Sequence, residues 1–555
     1  MASGTLGIAL TGLNAAQAGI RTSQHNIANV NTAGFRRQEV DYASLTPNFS
    51  GSGYFGTGVG VSTVRNLYSQ FQDSQVLLNQ GQLSRNEAYA SQASQIDTLA
   101  GDANSGLTGA MDAFFSATQT VATDPTSNAA RQVMLSSGRN LAARFNTLSS
   151  AFNNIRVDTN HEIAATVTRI NTYAGQIAQL SGNIAQGEAS NGQPANDLRD
   201  QRDQLVAELN KLINVTPVQQ GDGAFNLFIG SGQPLVVGSS VTTMSSVADA
   251  TNTEFDVPAL NLAGGATQPL DASVITGGKL GGLLAAREAV LQPAMQDLDR
   301  LALTFSAQFN GQHDNGYDKS GVLGTNFFTA STTLFQQPAA GTGNTGTQVI
   351  NATLTNAALL EASNYELSYD GTNYTLTRLS DGVSSAAGTL AAVTTIGGVA
   401  QGFTLAAGAG APVAGDAWLL RPSHGAAGSL TALLTDPNKI AASSSSAGSP
   451  GDNANALLLA GLQTQANTVN GTDTFSSAYA QLVARTATLA SEADINVAAY
   501  ETLTSQAKQA QQAVSGVNLD EEAANLIRFQ QAYQASAKAM QVASSLFDDL
   551  IGILR

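Results

Sequence analysis

A mainly α fold with β structure inserted in its middle is what this chain of 555 residues predicts, and three observations carry the prediction. Of 13 prolines, none precedes Pro47 and none follows Pro450. An interior proline costs a helix about 3 kcal/mol, so both ends are free to form long helices. Glycine is concentrated centrally, with 16 between residues 321 and 428 against five between 451 and 555. Finally, apolar residues recur every seventh position at both termini, the spacing of helices that pair as a coiled coil.

The first helix places Leu6, Leu13, Ile20 and Ile27 seven apart, with the smaller Ala9, Ala16, Ser23 and Val30 three residues on. The last forty residues repeat the pattern with Leu519, Leu526, Tyr533, Met540, Phe547 and Leu554. Phe529, Ala543 and Leu550 take the companion positions there, which Glu522 and Ser536 interrupt. Asn518 is a suitable N-cap, with Glu521 three residues later and Asp520, Glu521 and Glu522 at the positive end of the helix dipole. The ends carry opposite charge: residues 1–40 hold Arg21, Arg36 and Arg37 against Glu39, and residues 516–555 hold three basic against five acidic side chains. Burial and charge therefore both favour a pair made of the two ends, 1–40 with 516–555. Isolated helices are marginal in water, so such a pair is expected to need neighbouring copies to become fully ordered.

A connector is expected over 41–83, and a helical middle domain over 84–324 and 426–515. Helical patterns run from about Ser84 to Thr120, from Asp124-Pro125 to about Ile184, from Asn196 to Ile213, from Leu280 to Phe309 and from Asn455 to Val514. Asp124-Pro125 reads as an N-cap followed by proline at the first helical position. β hairpins are expected near 215–275, with strands over Val215–Val241. Residues 325–425 read as an outer all-β domain: Tyr365, Leu367 and Tyr369 alternate, Asp370-Gly371 makes a turn, and Tyr374 and Leu376 alternate again. Ser443 to Pro450, SSSSAGSP, has the composition of a flexible linker.

Charged residues make up only 12%, and the net charge is −16. A phosphate-binding surface needs a basic stripe, so nucleic acid is not an expected partner, and neither is anionic lipid. The chain has no cysteine, which suits a protein that passes between redox compartments without disulfides. Residues 1–20 lack a basic n-region and an unbroken apolar core, so no cleaved signal peptide is expected, and no run of about 20 apolar residues predicts membrane insertion.

Catalytic, cofactor and metal sites are not expected. The four histidines are dispersed, and His161-Glu162 begins an HExxH whose second histidine position is Ala165. GSGYFG at 51–56 matches a dinucleotide-binding fingerprint literally, yet it neither follows a strand nor opens a helix. Asp314 to Gly321, DNGYDKSG, lacks the spacing and the terminal glutamate of a calcium loop and reads as a polar turn.

The stretch HNIANVNTAGF at 25–35, behind the LNAAQAGI helix, resembles the N-terminal signature of the bacterial flagellar rod, hook and hook-associated axial proteins. The C-terminal run GVNLDEEAANLIRFQQAYQASAKAMQVASSLFDDLIGIL resembles the hook-associated branch of that family. Further blocks, among them GVGVSTVRNLYSQFQDSQV at 58–76 and NDLRDQRDQLVAELNKLINVTPV at 196–218, stand in the family order. The resemblance implies export through the flagellar type III apparatus, a cytoplasmic chaperone on the C-terminal helix, and an extracellular place between hook and filament. It implies as partners the chain itself, the hook protein and the next hook-associated protein. The terminal helices would form an inner tube by packing on their own copies, with the helical domain outside it and the β domain outermost. The inner layer would comprise Leu6, Leu13, Ile20 and Ile27 with Leu519, Leu526, Phe529, Tyr533, Met540, Phe547 and Leu550. Asn26, Asn29 and Asn31 would satisfy backbone groups where the first helix unwinds, Gly34 would permit the turn and Phe35 would anchor it. A hook or distal-rod protein is an alternative, disfavoured by the long helical block 84–215; an exported enzyme on such a scaffold is disfavoured by the broken HExxH.

Overall fold

A computed structural model describes residues 2–553 apart from 50, 52, 103–105, 220–224, 250–251, 263, 342 and 467–470. The N-terminal helix α1 (Ala2–Ala28) leads through turns into an antiparallel pair of strands, Gln38–Ser44 with Val59–Asn66, in which Val40 faces Val64 and a bulge falls at Asp41/Tyr42. Helix α2 (Gln70–Gly101) begins where Ser69 caps it, its hydroxyl accepting from the Gln72 N–H. The expected connector is thus shorter than 41–83, because residues 70–83 already form helix. The pattern read as one helix over Ser84–Thr120 is divided between α2 and α3 (Thr108–Thr123).

The 64-residue α4 (Asn128–Asn191) starts later than Asp124-Pro125. Asp124 instead closes α3, its N–H donating to Thr120 O, and the hydroxyl of Ser127 caps α4 by accepting from Ala130 N–H. With Asp124 engaged in closing α3, the cap passes to Ser127, the next residue whose hydroxyl reaches a free backbone N–H. Gly192, in the left-handed conformation, ends α4, and α5 (Asn196–Leu212) folds back along it. Strands Val215–Gln219, Phe225–Ile229 and Gln233–Val237 follow as the expected meander, with Met244–Ala248 and Asp256–Asn261 in a second small sheet. Helix α6 (Gly278–Ala286) passes through a π turn, Arg287–Leu291, into α7 (Gln292–Asp314). After the one-turn α8 (Ser331–Leu334), strands from Ala339 to Leu420 form the inserted β region.

That region is less separate than its sequence suggests. Phe114, Phe145, Phe305, Phe309, Phe327 and Phe328 of the helical body share one continuous buried core with Tyr365, Phe403 and Trp418 of the strands. The Tyr365–Tyr369 and Tyr374–Arg378 hairpin turns at Asp370, whose carboxylate accepts from the N–H groups of Thr372 and Asn373, with Gly371 at φ 103°. Returning to the body, α9 (Ala426–Ser429) is capped by the buried Asp299 carboxylate, which accepts from Gly425 and Ala427 N–H.

Ser443–Pro450 is not a free linker. Ser443 exchanges two backbone hydrogen bonds with Tyr317, and Asp452 accepts from the hydroxyls of Ser443 and Ser444. A nearby carboxylate gives these serines local partners that composition alone does not reveal. The calcium-loop lookalike at 314–321 is occupied by a side-chain cation: the Lys439 ammonium lies 2.9 Å from the buried Asp318 carboxylate. The pattern expected as one helix over Asn455–Val514 is two, α10 (Ala454–Gly461) and α11 (Phe475–Ser515), the second capped by Thr474. α11 packs along α2, and α12 (Leu519–Ile553) returns along α1.

Candidate functional site

The two chain ends do pair, through a different set of residues from the large apolar ladder. Ala9, Ala16 and Ser23, the small companion residues of α1, are buried, and Gly12 and Gly19 lie between them on the same face. A methyl group at Gly12 would lie 2.9 Å from the Ser536 hydroxyl, and one at Gly19 would lie 2.7 Å from the Phe529 ring. Small residues therefore let the two backbones approach. On α12 the facing positions are Glu522, Phe529, Ser536 and Ala543, seven apart, so the two apparent interruptions belong to the seam itself.

The large ladder lies elsewhere. Leu6, Leu519, Tyr533 and Phe547 are exposed, whereas Leu13, Ile20, Ile27, Leu526 and Met540 are half-buried. Ile8, Leu10, Ile527, Val542 and Leu546 add to the exposed apolar surface. Burying the smaller ladder inside the chain turns the bulkier one outward. The side chain of Leu550 and the whole of Leu554 lie outside the described residues.

At its far end the pair is tied to the helical body by a compact polar junction built from residues 25–40. Asn26, buried, reaches twelve residues ahead: its amide donates to Gln38 O and accepts from Gln38 N–H, both at 2.9 Å. Asn26 thus fixes the strand that follows and does not cap its own helix. Asn29 donates to His25 O at 3.0 Å, as expected where a helix unwinds, and Asn31 is exposed. Gly34 takes φ 82°, and the Phe35 ring meets His25 edge-on at 5.3 Å.

Arg36 and Arg37, which the sequence reading counted only as charge, are the centre of this junction. Neighbours on an extended chain point to opposite sides. The Arg36 guanidinium sits 2.7 Å from Asp73 of α2 and 3.5 Å from Asp200 of α5, with Asp203 also paired, while the backbone N–H of Arg36 donates to the Asp200 carboxylate at 3.0 Å. Arg37 turns to α12, pairing with Glu521 and with the buried Glu522 at 2.8 Å, and its backbone joins Ser515 O and Leu67 N–H. Burial would lower the pKa of both guanidiniums, but the carboxylates around them reverse this and raise it. Asp200 is pushed up to about 6, chiefly by burial and further by Asp203 and Asp197, against the opposing pull of Arg36. Gln38 adds a bond to Asp197 at 2.8 Å. The signal missed in the sequence is the three-residue spacing of Asp197, Asp200 and Asp203 on α5, which sets Asp200 and Asp203 against Arg36 and Asp197 against Gln38.

Among the described residues no group of three or more potential metal-binding side chains occurs, and no helix is long and apolar enough to cross a membrane. The site offers packing and charge pairing, which is the chemistry of a joint.

A pair of helices made from both chain ends is thus pinned to the helical body by charge. Residues 509–553 match the family described as "Flagellar basal body rod FlgEFG protein C-terminal". Residues 93–328 match the "Flagellar hook-associated protein FlgK helical domain" and 339–422 the "Flagellar hook-associated protein 1, D2-like domain". The chain is 34% identical over 556 residues to flagellar hook-associated protein 1 of Escherichia coli, covering 98% of both proteins. The Bacillus subtilis protein is 26% identical over 571 residues, covering 97% of this chain and 96% of that one. The solved structure of the flagellar hook junction protein FlgK from Burkholderia pseudomallei aligns with TM-score 0.72 and 27% identity, over 80% of this chain and all of that one. The chain belongs to the flagellar hook-associated protein 1 (FlgK) family.

Proposed function

We propose that this chain is a structural junction piece that joins the flagellar hook to the filament, without enzymatic activity, after export through the flagellar type III apparatus. It assembles outside the cell with its own copies, and its axial neighbours are the hook protein and the next hook-associated protein. A cytoplasmic chaperone covers the C-terminal helix before export. The domain reading follows: the paired termini form the inner layer, the helical body surrounds it and the β region lies outermost. The observation that carries the reading is the outward ladder: Leu6, Tyr533 and Phe547 remain exposed on a pair whose small residues are already buried. In water such a surface is a liability that association removes.

Replacing Tyr533 and Phe547 together by Asp tests this. The variant is expected to be secreted and to retain the helical body while losing filament attachment and swimming. Normal motility with the variant present in the flagellum would reject the assignment.

A further inference from the structure

Residues 421–430, where the inserted β region returns to the helical body, are gripped from three sides. From the turn between strands Met244–Ala248 and Asp256–Asn261 comes Glu254, whose carboxylate lies 2.9 Å from the Arg421 guanidinium and 3.0 Å from the His424 imidazole. From α7 comes Asp299, which accepts from the Gly425 and Ala427 N–H groups at 2.9 and 3.0 Å. From α4 comes Asn146, whose amide donates to Ala427 O at 2.7 Å and to Leu430 O at 3.1 Å. The outgoing connection is tied to the same place, since the Gln336 N–H donates to Pro422 O at 3.1 Å. The footing of the β region on the body therefore rests on this segment.

Three titratable side chains meet there. Glu254, Asp299 and His424 line one cavity of about 30 Å³, together with Asn252, Asn364 and Arg421. Asp299 is buried, whereas Glu254 and His424 are half-buried and open to exchange of protons with solvent. The charged groups around His424 are Glu254 from the turn, Asp299 from α7 and Arg421 from its own segment, with Arg156 of α4 bonded to the Glu254 backbone carbonyl. Burial pushes the Asp299 carboxyl up, and the Glu254 charge adds to this, while the Ala427 and Gly425 N–H groups and His424 draw it back. Glu254 is held well below the usual carboxylate range, chiefly by the hydrogen bond from His424, with Arg421 and Arg156 contributing. His424 thus favours the charged form of both acids, and imidazole is the side chain that ordinarily changes charge near neutral pH. Rising pH removes that cation and leaves two carboxylates in one cavity, one of them buried, which is the costly arrangement.

We propose that His424 is a proton-dependent latch on the footing of the β region: protonated, it is the shared cation of Glu254 and Asp299 and holds residues 421–430 against the body; deprotonated, it lets that segment loosen. The latch belongs to the single chain and does not depend on how copies assemble.

Hydrogen exchange of the full chain, corrected for the intrinsic pH dependence of amide exchange, tests it at about pH 5.5 and about pH 8.5 on either side of the imidazole range. Relative to α4, residues 423–430 should lose protection several-fold at the higher pH. H424Q removes the titrating cation, and E254Q keeps an acceptor for Arg421 and His424 but leaves Asp299 as the lone carboxylate. In both variants the loss should shrink to less than half that of the parent. Equal protection at the two pH values, protection that rises with pH, or the parent's full pH response in either folded variant would overturn the latch. Should H424Q fail to fold, shown by early melting of its helical body, E254Q decides.

Discussion

At the scale of single residues, Asp200 shows how the junction depends on its setting. Unfolded, it ionises near 3.8; folded, burial moves it to about 6. Between those values the folded protein holds a proton that the unfolded chain does not. Asp200 therefore favours the folded state most below its ordinary pKa, and that contribution is lost as pH rises through 6. The D200N variant should lack this term, so its stability relative to the parent should increase between pH 4 and pH 7, by at most about 3 kcal/mol. Denaturant titrations of both proteins across that range check the slope, and a constant difference would show that Asp200 is not the group concerned. Little of this was legible beforehand. Asn26, Gly34 and Phe35 stand out in sequence as a polar break, but the partner of Asn26 is a backbone twelve residues away, and no local rule names it.

At the scale of elements, the terminal pair was legible as a pair and only half legible as a seam. Seven-residue spacing fixes which residues share a helix face, but not which of two adjacent faces the partner takes. Here the partner took the face with glycine, because close backbone approach gains contact along the whole helix. Gly19→Leu should then force the Phe529 ring aside and cost the pair about 1–3 kcal/mol. Faster amide exchange in 5–22 and 526–545 of the monomer, with the helical body unchanged, would be the result. Unaltered exchange would mean that the two helices do not depend on this approach. Caps explain the other displaced boundaries: Ser69, Ser127 and Thr474 start helices where their hydroxyls reach backbone N–H groups, ahead of or behind the points that hydrophobic spacing suggests.

At the scale of the whole molecule, helical ends and a turn-rich middle were readable from proline and glycine, and the pairing of the ends from seven-residue spacing and charge. The shared core of strands and helices was not, since no run of residues announces that Trp418 and Phe305 belong to one interior. The polar junction links the terminal pair to that body through Arg36. Arg36→Ala would leave Asp73, Asp200 and Asp203 facing one another without their common cation. We expect the helical body to melt as before while cleavage by trypsin at Arg37 accelerates several-fold, read by limited proteolysis of the monomer. Unchanged cleavage would place the joint's rigidity elsewhere.

The adjacency of Arg36 and Arg37 has a mechanical meaning. One residue grips the body and the next grips α12, so a twist applied to the terminal pair reaches the body across a single peptide unit, about 3.8 Å of rigid, planar chain. The planar unit fixes the separation of the two Cα atoms, so any give in the joint lies in the two arginine side chains and the dihedrals that flank it.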